Sequence, residues 1–332
     1  MTIVYAVIIF LLLIFIHELG HFIAAKACDV KVNEFSLGMG PLMFSKQGKE
    51  TLYSVRWIPI GGFCAMEGEE EDSDDARALN RKSSLQKFAI FAAGPLMNGV
   101  LALIIMILIA LVSGMPSTVI GTVDDGMPAK EAGIIPGDVI LSIDGKEINE
   151  WSDVGEIISE EKNSVDIMLE RDGKQYSVSV TPKYSEKEKR YMLGITSKPV
   201  HSPGRACVQG VRATAGMTVV MYRVLAKLVT GEVSTKEISG PVGIVSVVSE
   251  TSKKGFVYVA YLTALISLNL GVMNLLPFPA LDGGRILFLV IRKITGKRVT
   301  DEMENRFHMA GMLLLFAFMI FITFQDIGRL IQ

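Results

Sequence analysis

Four stretches of the chain are apolar at almost every position: residues 3–25, 88–112 (FAIFAAGPLMNGVLALIIMILIALV), 256–276 (FVYVAYLTALISLNLGVMNLL) and 309–324 (MAGMLLLFAFMIFITF). A bilayer-spanning helix needs about 20 such residues, so each predicts a span, the last being short but extendable at either end. Between the first two, KVNEFSLG and TLYSVRWIPI alternate apolar and polar positions between Gly turns, which predicts β-hairpins. The acidic run Glu67–Asp75 predicts a solvated linker. Residues 116–198 alternate in short runs (TVIGTV, GDVILSIDG, SVDIMLERDG, QYSVSVTP), with Asp-Gly at 144–145 and 172–173 as hairpin-type turns. In residues 205–230, Arg212, Arg223 and Lys227 interrupt the apolar positions at helix-like intervals. That pattern predicts an amphipathic helix at the membrane surface rather than a fifth span. The breaker-rich ISGPVGI, residues 238–244, offers no chemistry by itself.

Composition supports this picture. Half of the 332 residues are hydrophobic and the mean hydropathy is +0.40, too apolar for an ordinary soluble enzyme, and a net charge of −2 suggests no nucleic-acid partner. The expected fold is a polytopic α-helical membrane protein of about four transmembrane helices, with a membrane-associated β-hairpin loop and an inserted α+β domain. It divides into an N-terminal membrane half (1–112), the insert (116–198), an amphipathic linker (199–255) and a C-terminal membrane half (256–332). The first span lacks a basic N-terminal tip and a small-residue cleavage site, so it reads as retained. Lys26, Lys31, Arg81, Lys82 and Lys87 flank the loop after span one, and Arg285, Arg292, Lys293, Lys297, Arg298 and Arg306 follow span three. The positive-inside rule then predicts cytoplasmic loops at both places, with the termini and the insert extracytoplasmic.

Ionisable residues inside a span need a reason, because each costs about 2.5–3.5 kcal/mol on insertion scales. Span one contains FIHELGHF, residues 15–22. His17 and His21 are four apart and share one helix face, about 6 Å apart at Cβ. Two imidazoles so placed can bind one zinc ion, and Glu18 beside them can take a proton from water held by the metal. Catalytic zinc uses three protein ligands. Cys28, Cys64 and Cys207 are scattered, His201 lies in the linker, and His308 opens the last span. The better candidate is NLLPFPALDGGR, residues 274–285, where Pro277 and Pro279 break the helix and Asp282 projects from an unwound segment at similar membrane depth to the histidines.

AKEAGIIPGDVILSIDG, residues 129–145, resembles the PDZ domain in the variant of bacterial proteases. HELGH in the first span and NLLPFPALDGG in the third resemble the site-2 protease family of intramembrane zinc metalloproteases. The closest resemblance is to the bacterial branch that cleaves anti-sigma factors. The order HExxH, FSLGMGP loop, second span, PDZ, SGPVGI and Asn-to-Asp motif covers essentially the whole chain, with one PDZ-like unit where enterobacterial members have two. By position, the resemblance implies His17, His21 and Asp282 as zinc ligands and Glu18 as the base. It implies Asn274, with Asn269 in support, for substrate or its oxyanion, and Gly38 and Gly40 of the loop for substrate binding. It further implies regulated intramembrane proteolysis in a bacterial cell membrane, on single-span proteins such as anti-sigma factors or signal-peptide remnants. It also implies a first cut by an upstream site-1-type protease, with a PDZ domain that either refuses substrates with bulky outer domains or binds the trimmed ones as a peptide receptor. A non-catalytic PDZ adaptor with a structural metal would also fit the motifs, and a zinc transporter would fit them less well.

Overall fold

The structure, a computed structural model, describes residues 2–69, 71–232, 240–295 and 301–331. In chain order its elements are α1 (Thr2–Ala27), β1 (Val32–Gln47), β2 (Leu52–Met66), α2 (Ser84–Ser113), β3 (Ile120–Val123), α3 (Pro128–Glu131), β4 (Val139–Ile143) and β5 (Lys146–Glu147). Then come α4 (Trp151–Glu160), β6 (Val165–Arg171), β7 (Lys174–Val180), β8 (Lys183–Ser185), β9 (Arg190–Met192) and β10 (Ile195–Ser197). Last are α5 (Pro203–Val229), α6 (Pro241–Lys254), α7 (Phe256–Asn274), α8 (Asp282–Thr295) and α9 (Asp301–Ile331). Among the described residues, four segments are long and apolar enough to cross a membrane: Tyr5–Ala27, Ser84–Ser113, Phe256–Asn274 and Glu302–Asp326. They correspond to the four stretches read from the sequence, and the short fourth one lengthens to 25 residues. Apolar side chains such as Ile8, Leu108, Phe256, Leu313 and Phe324 stand exposed on them, as lipid-facing positions do. The protein is an integral membrane protein.

The chain forms two compact units, residues 1–106 with 210–332 and residues 107–209. In the first, Ala6, Ile9 and Leu13 of α1 pack with Val248 of α6 and with Leu262 and Ile266 of α7. The stretch around ISGPVGI thereby acquires a role, although Ile238 and Ser239 lie outside the described residues. Gly240 is the N-cap of α6 and Pro241 its first residue, the position where a missing N–H is harmless. The buried Asp326 carboxylate of α9 accepts the Gly243 N–H at 2.8 Å, placing a negative charge at the positive end of α6. A side chain at Gly240 would meet that carboxylate at 2.8 Å.

The alternating runs after α1 do pair as strands. Positive φ at Gly38 and Gly40 (86° and 82°) lets β1 bend, a conformation only glycine adopts without strain. As a result Glu34–Leu37 is flanked by Leu52–Val55 on one side and by Gly62–Ala65 on the other, while Phe44–Gln47 pairs with the far side of Leu52–Val55. Gly62–Ala65 is therefore an edge, and among the described residues no strand pairs with its outer side. The acidic run that follows is exposed at Glu71, Asp72 and Asp74, as a solvated linker is, but other acids in it are anchored. Glu67 accepts hydrogen bonds from Ser73, Asn33 and Lys31, which hold its carboxyl down at about 2, and Glu69 pairs with Arg285. Hydrogen bonds from Arg77 and then Lys26 likewise hold Glu50 at about 2. These partners are far apart in sequence, which is why a run of acids read as a tether.

The second unit is the PDZ domain. Its sheet runs β5-β4-β6-β7, all antiparallel, with β10 pairing β3, and the bridge Val119 to Val139 joining the two sets. Ile120, Ile140, Ile143, Ile167 and Leu169 fill its core against Val154 and Ile158 of α4. Asp138 is fully buried beneath it and accepts the Ile135 N–H at 3.0 Å and both Nε and Nη2 of Arg171 at 2.7 and 2.8 Å. Burial pushes the Asp138 carboxyl up, but the Arg171 and Ile135 hydrogen bonds outweigh it and keep the acid ionised. The fork also ties β6 to the loop before β4, since Arg171 bonds the Gly133 carbonyl. The sequence 205–230 is helical, as α5, and is not among the four spanning segments.

Candidate active site

α1 carries His17 and His21 on one face, with ring centroids 4.9 Å apart and planes at 79°. α2 lies directly against that face. At Gly20 a side chain would strike the Ala93 carbonyl carbon at 2.8 Å, so the two backbones approach as only a glycine contact permits. Three positions of α2, one turn apart, then meet the histidines. The Ile90 carbonyl accepts a hydrogen bond from Nδ1 of His21 at 2.8 Å. Gly94 leaves room for the His21 ring. The Asn98 amide lies 3.2 Å from Nδ1 of His17.

The third group arrives from the other end of the chain. α7 stops at Asn274, the segment holding Pro277 and Pro279 turns back, and α8 begins at Asp282. Asp282 thus stands at a helix start just after the unwound segment rather than within it. The turn is tight: a side chain at Gly283 would lie 2.5 Å from the Leu275 carbonyl carbon. Ala280 has a φ of 75°, unusual for a residue with a Cβ, and its N–H donates to Nδ1 of His308 at 3.0 Å. His308, dismissed as a ligand from sequence, therefore holds the loop that presents Asp282. Arg285, one turn on, packs over Phe91 at 5.3 Å and pairs with Glu69, joining the hairpin side of the site to the Asp282 side.

These pieces converge. Nε2 of His17 and Nε2 of His21 lie 3.3 Å apart, and each lies near one oxygen of Asp282, at 3.2 and 3.4 Å. Ligands 2.0–2.1 Å from a tetrahedral zinc stand about 3.3 Å from one another. Two imidazole nitrogens and a carboxylate oxygen at that spacing, with both Nδ1 atoms engaged elsewhere, fit a cation at their centre. Among the described residues this is the one group of His, Cys, Asp and Glu able to hold a metal ion. A transporter would need a path of such sites.

A cavity of about 1040 Å³ opens on the three ligand atoms and is also lined by Glu18, Asn274 and the edge segment Gly62–Met66. Asn274 thus lines the same cavity as the three ligand atoms. Asn269 is exposed on α7 and does not line the cavity, nor do Gly38 and Gly40, which sit in the bends of the hairpin. Asn98, Glu69, Arg285 and the packing role of His308 were not foreseen. Asn98 did leave a signal, being the one strongly polar side chain in its apolar stretch.

The profile of peptidase family M50 matches residues 5–318. A protein of Clostridium acetobutylicum that carries a provisional zinc metalloprotease name is 40% identical, over 98% of this chain and 97% of its own length. One of Fusobacterium nucleatum, similarly named, is 38% identical over 99% of both chains. The regulator of sigma-W protease RasP of Bacillus subtilis is 31% identical, again over 99% of both. Among solved structures, the PDZ domain of an SdrC-like protein from Listeria monocytogenes aligns with 25% of this chain and 87% of its own at 21% identity. Its TM-score of 0.23 is too low to add to what the insert's own strands show. With its HExxH helix, its distant aspartate and this full-length similarity, the chain belongs to peptidase family M50, the site-2 protease family of membrane-embedded zinc metalloproteases.

Proposed function

We propose that His17, His21 and Asp282 hold one zinc ion and that Glu18 is the general base for hydrolysis of peptide bonds in single-span membrane proteins. The convergence of Nε2, Nε2 and Oδ2 carries this reading. Zinc bound there supplies a Lewis acid and an acidified water. Glu18, in the same cavity, accepts the proton of the attacking water and returns it to the departing amide nitrogen. Asn274, which also lines the cavity, donates in this reading to the oxygen of the scissile carbonyl as charge develops. The cavity admits water to a site within the bilayer, and its polar lining, with Glu67, Glu69 and Asp72, keeps it wet. The positive-inside pattern supports a cytoplasmic opening for this cavity. Removing metal with a chelator is expected to abolish cleavage of a trimmed single-span substrate in detergent, and stoichiometric zinc to restore it. Cleavage that survives complete metal removal would overturn the assignment.

A substrate helix hides its peptide bonds in its own hydrogen bonds and must unwind to be cut. The edge Gly62–Ala65 is where an unwound segment gains replacement partners, because it lines the cavity with one side unpaired. Tyr53–Val55, in the alternating run TLYSVRWIPI, is paired on both sides and is unavailable. Proline scanned through residues 62–65 is expected to lower cleavage at least about tenfold, by removing a donor, with zinc content unchanged. Full cleavage at all four positions would exclude strand pairing here. The name of the Bacillus subtilis relative ties it to sigma-W. We infer for this chain a substrate of the anti-sigma class, a single-span protein whose outer domain another protease has already removed.

A further inference from the structure

One side chain beside the metal ligands is left unexplained by the reaction. Asn98 is fully buried in α2. Its amide nitrogen faces Nδ1 of His17 at 3.2 Å, while its side-chain oxygen is buried with no hydrogen-bond partner. Nε2 of His17 is the atom that points at Asp282 and at Nε2 of His21. An imidazole that gives the lone pair of Nε2 to a metal carries its proton on Nδ1, and that N–H needs an acceptor. An amide –NH₂ facing it would set donor against donor. The two ends of an asparagine amide have the same shape, so the orientation follows from the hydrogen bonds it can make. Turning the amide over puts the orphaned oxygen on the Nδ1–H. His21 already has the equivalent arrangement, with the Ile90 carbonyl as its acceptor.

We propose that Asn98 is a positioning residue for the metal centre: its side-chain oxygen accepts the Nδ1–H of His17 and fixes the tautomer and ring orientation that present Nε2 to zinc. Ile90, Gly94 and Asn98, successive turns of α2, are then a single stripe that seats both histidines. The backbone of Asn98 is held independently, since Ser267 on α7 donates to its main-chain carbonyl at 2.8 Å. Substitution of the side chain leaves that contact in place.

The inference rests on His17 being a zinc ligand, and the test separates the two claims. Zinc affinity is measured by chelator competition on full-length protein in detergent for wild type, His17→Ala, Asn98→Leu and Asn98→Asp. Leu and Asp are close to Asn in size, but only Asp offers an acceptor. Asn98→Leu is expected to weaken zinc binding about 10–100-fold, and Asn98→Asp to bind as tightly as wild type or tighter. A role in packing alone does not distinguish the two in this way. If Asn98→Leu binds zinc like wild type, or if Asn98→Asp loses as much as Asn98→Leu, the positioning role is overturned while the ligand assignment stands on the His17→Ala result. If His17→Ala itself keeps wild-type affinity, both fall. Thermal unfolding of the metal-free proteins checks that each variant folds, and Asn98→Ala replaces Asn98→Leu if the larger side chain is not tolerated.

Discussion

Glu18→Gln is expected to bind zinc as wild type does and to lose about 10²–10⁴-fold in cleavage rate. Gln matches Glu in shape, so the close packing of Gly62 on this part of α1 is preserved. A Cβ at Gly62 would lie 3.3 Å from Cγ of Glu18. What disappears is a group able to hold a proton between the water and the leaving nitrogen. The proposed zinc ligands are His17, His21 and Asp282, and their mutual spacing closes without Glu18. Zinc content and turnover should therefore part company. A variant that loses its zinc would make Glu18 a ligand, and one that keeps full turnover would leave the reaction without an identified base. Measuring both on one preparation, against a trimmed single-span substrate, decides among these.

Gly94→Ala should fail in the opposite manner, losing zinc and activity together. A Cβ at Gly94 would lie 2.7 Å from Cε1 and 2.8 Å from Cδ2 of His21, and closer still to Nε2. The ring has little room to retreat. Its Nδ1 is bonded to the Ile90 carbonyl and its edge meets His17. It must swing off the position that faces Asp282, so the expected drop in zinc affinity exceeds the roughly 10–100-fold typical of changes to a ligand's outer hydrogen-bond partners. Gly99→Ala is the control. A Cβ there meets nothing within 4 Å, and zinc content and cleavage should stay at wild-type levels. If Gly94→Ala keeps its zinc, α1 and α2 are not locked at the distance the structure gives them.

The HExxH was legible because charge inside an apolar run demands explanation. Asp282 was legible because two prolines announce where a helix stops. The same reasoning applies to Asn98, alone among aliphatic neighbours, yet an uncharged amide is cheap enough to pass as packing. Asn269 illustrates the opposite error. At about 100° per residue, five positions rotate it some 140° from Asn274, onto another face of α7. The choice of strand edge could not be read at all. It depends on two bends, at Gly38 and Gly40, that fold β1 back so that Leu52–Val55 is paired on both sides. Nor does sequence reveal that Glu69 reaches Arg285, since the partners are separated by most of the chain and meet only once the helices pack.

The distance along the chain between the two histidines and Asp282 has a consequence during synthesis. α1 is made first, and its histidines stand in the membrane while α2, the PDZ domain, α5, α6 and α7 are still to come. Until α8 is joined, the nascent protein has two of the three proposed ligands and no complete seat for a metal. A destructive activity is thereby kept out of every incomplete chain, and a ribosome that stalls before the final helices leaves behind a harmless fragment. Latency of this kind needs no propeptide or inhibitor, because it is written into the order of the helices.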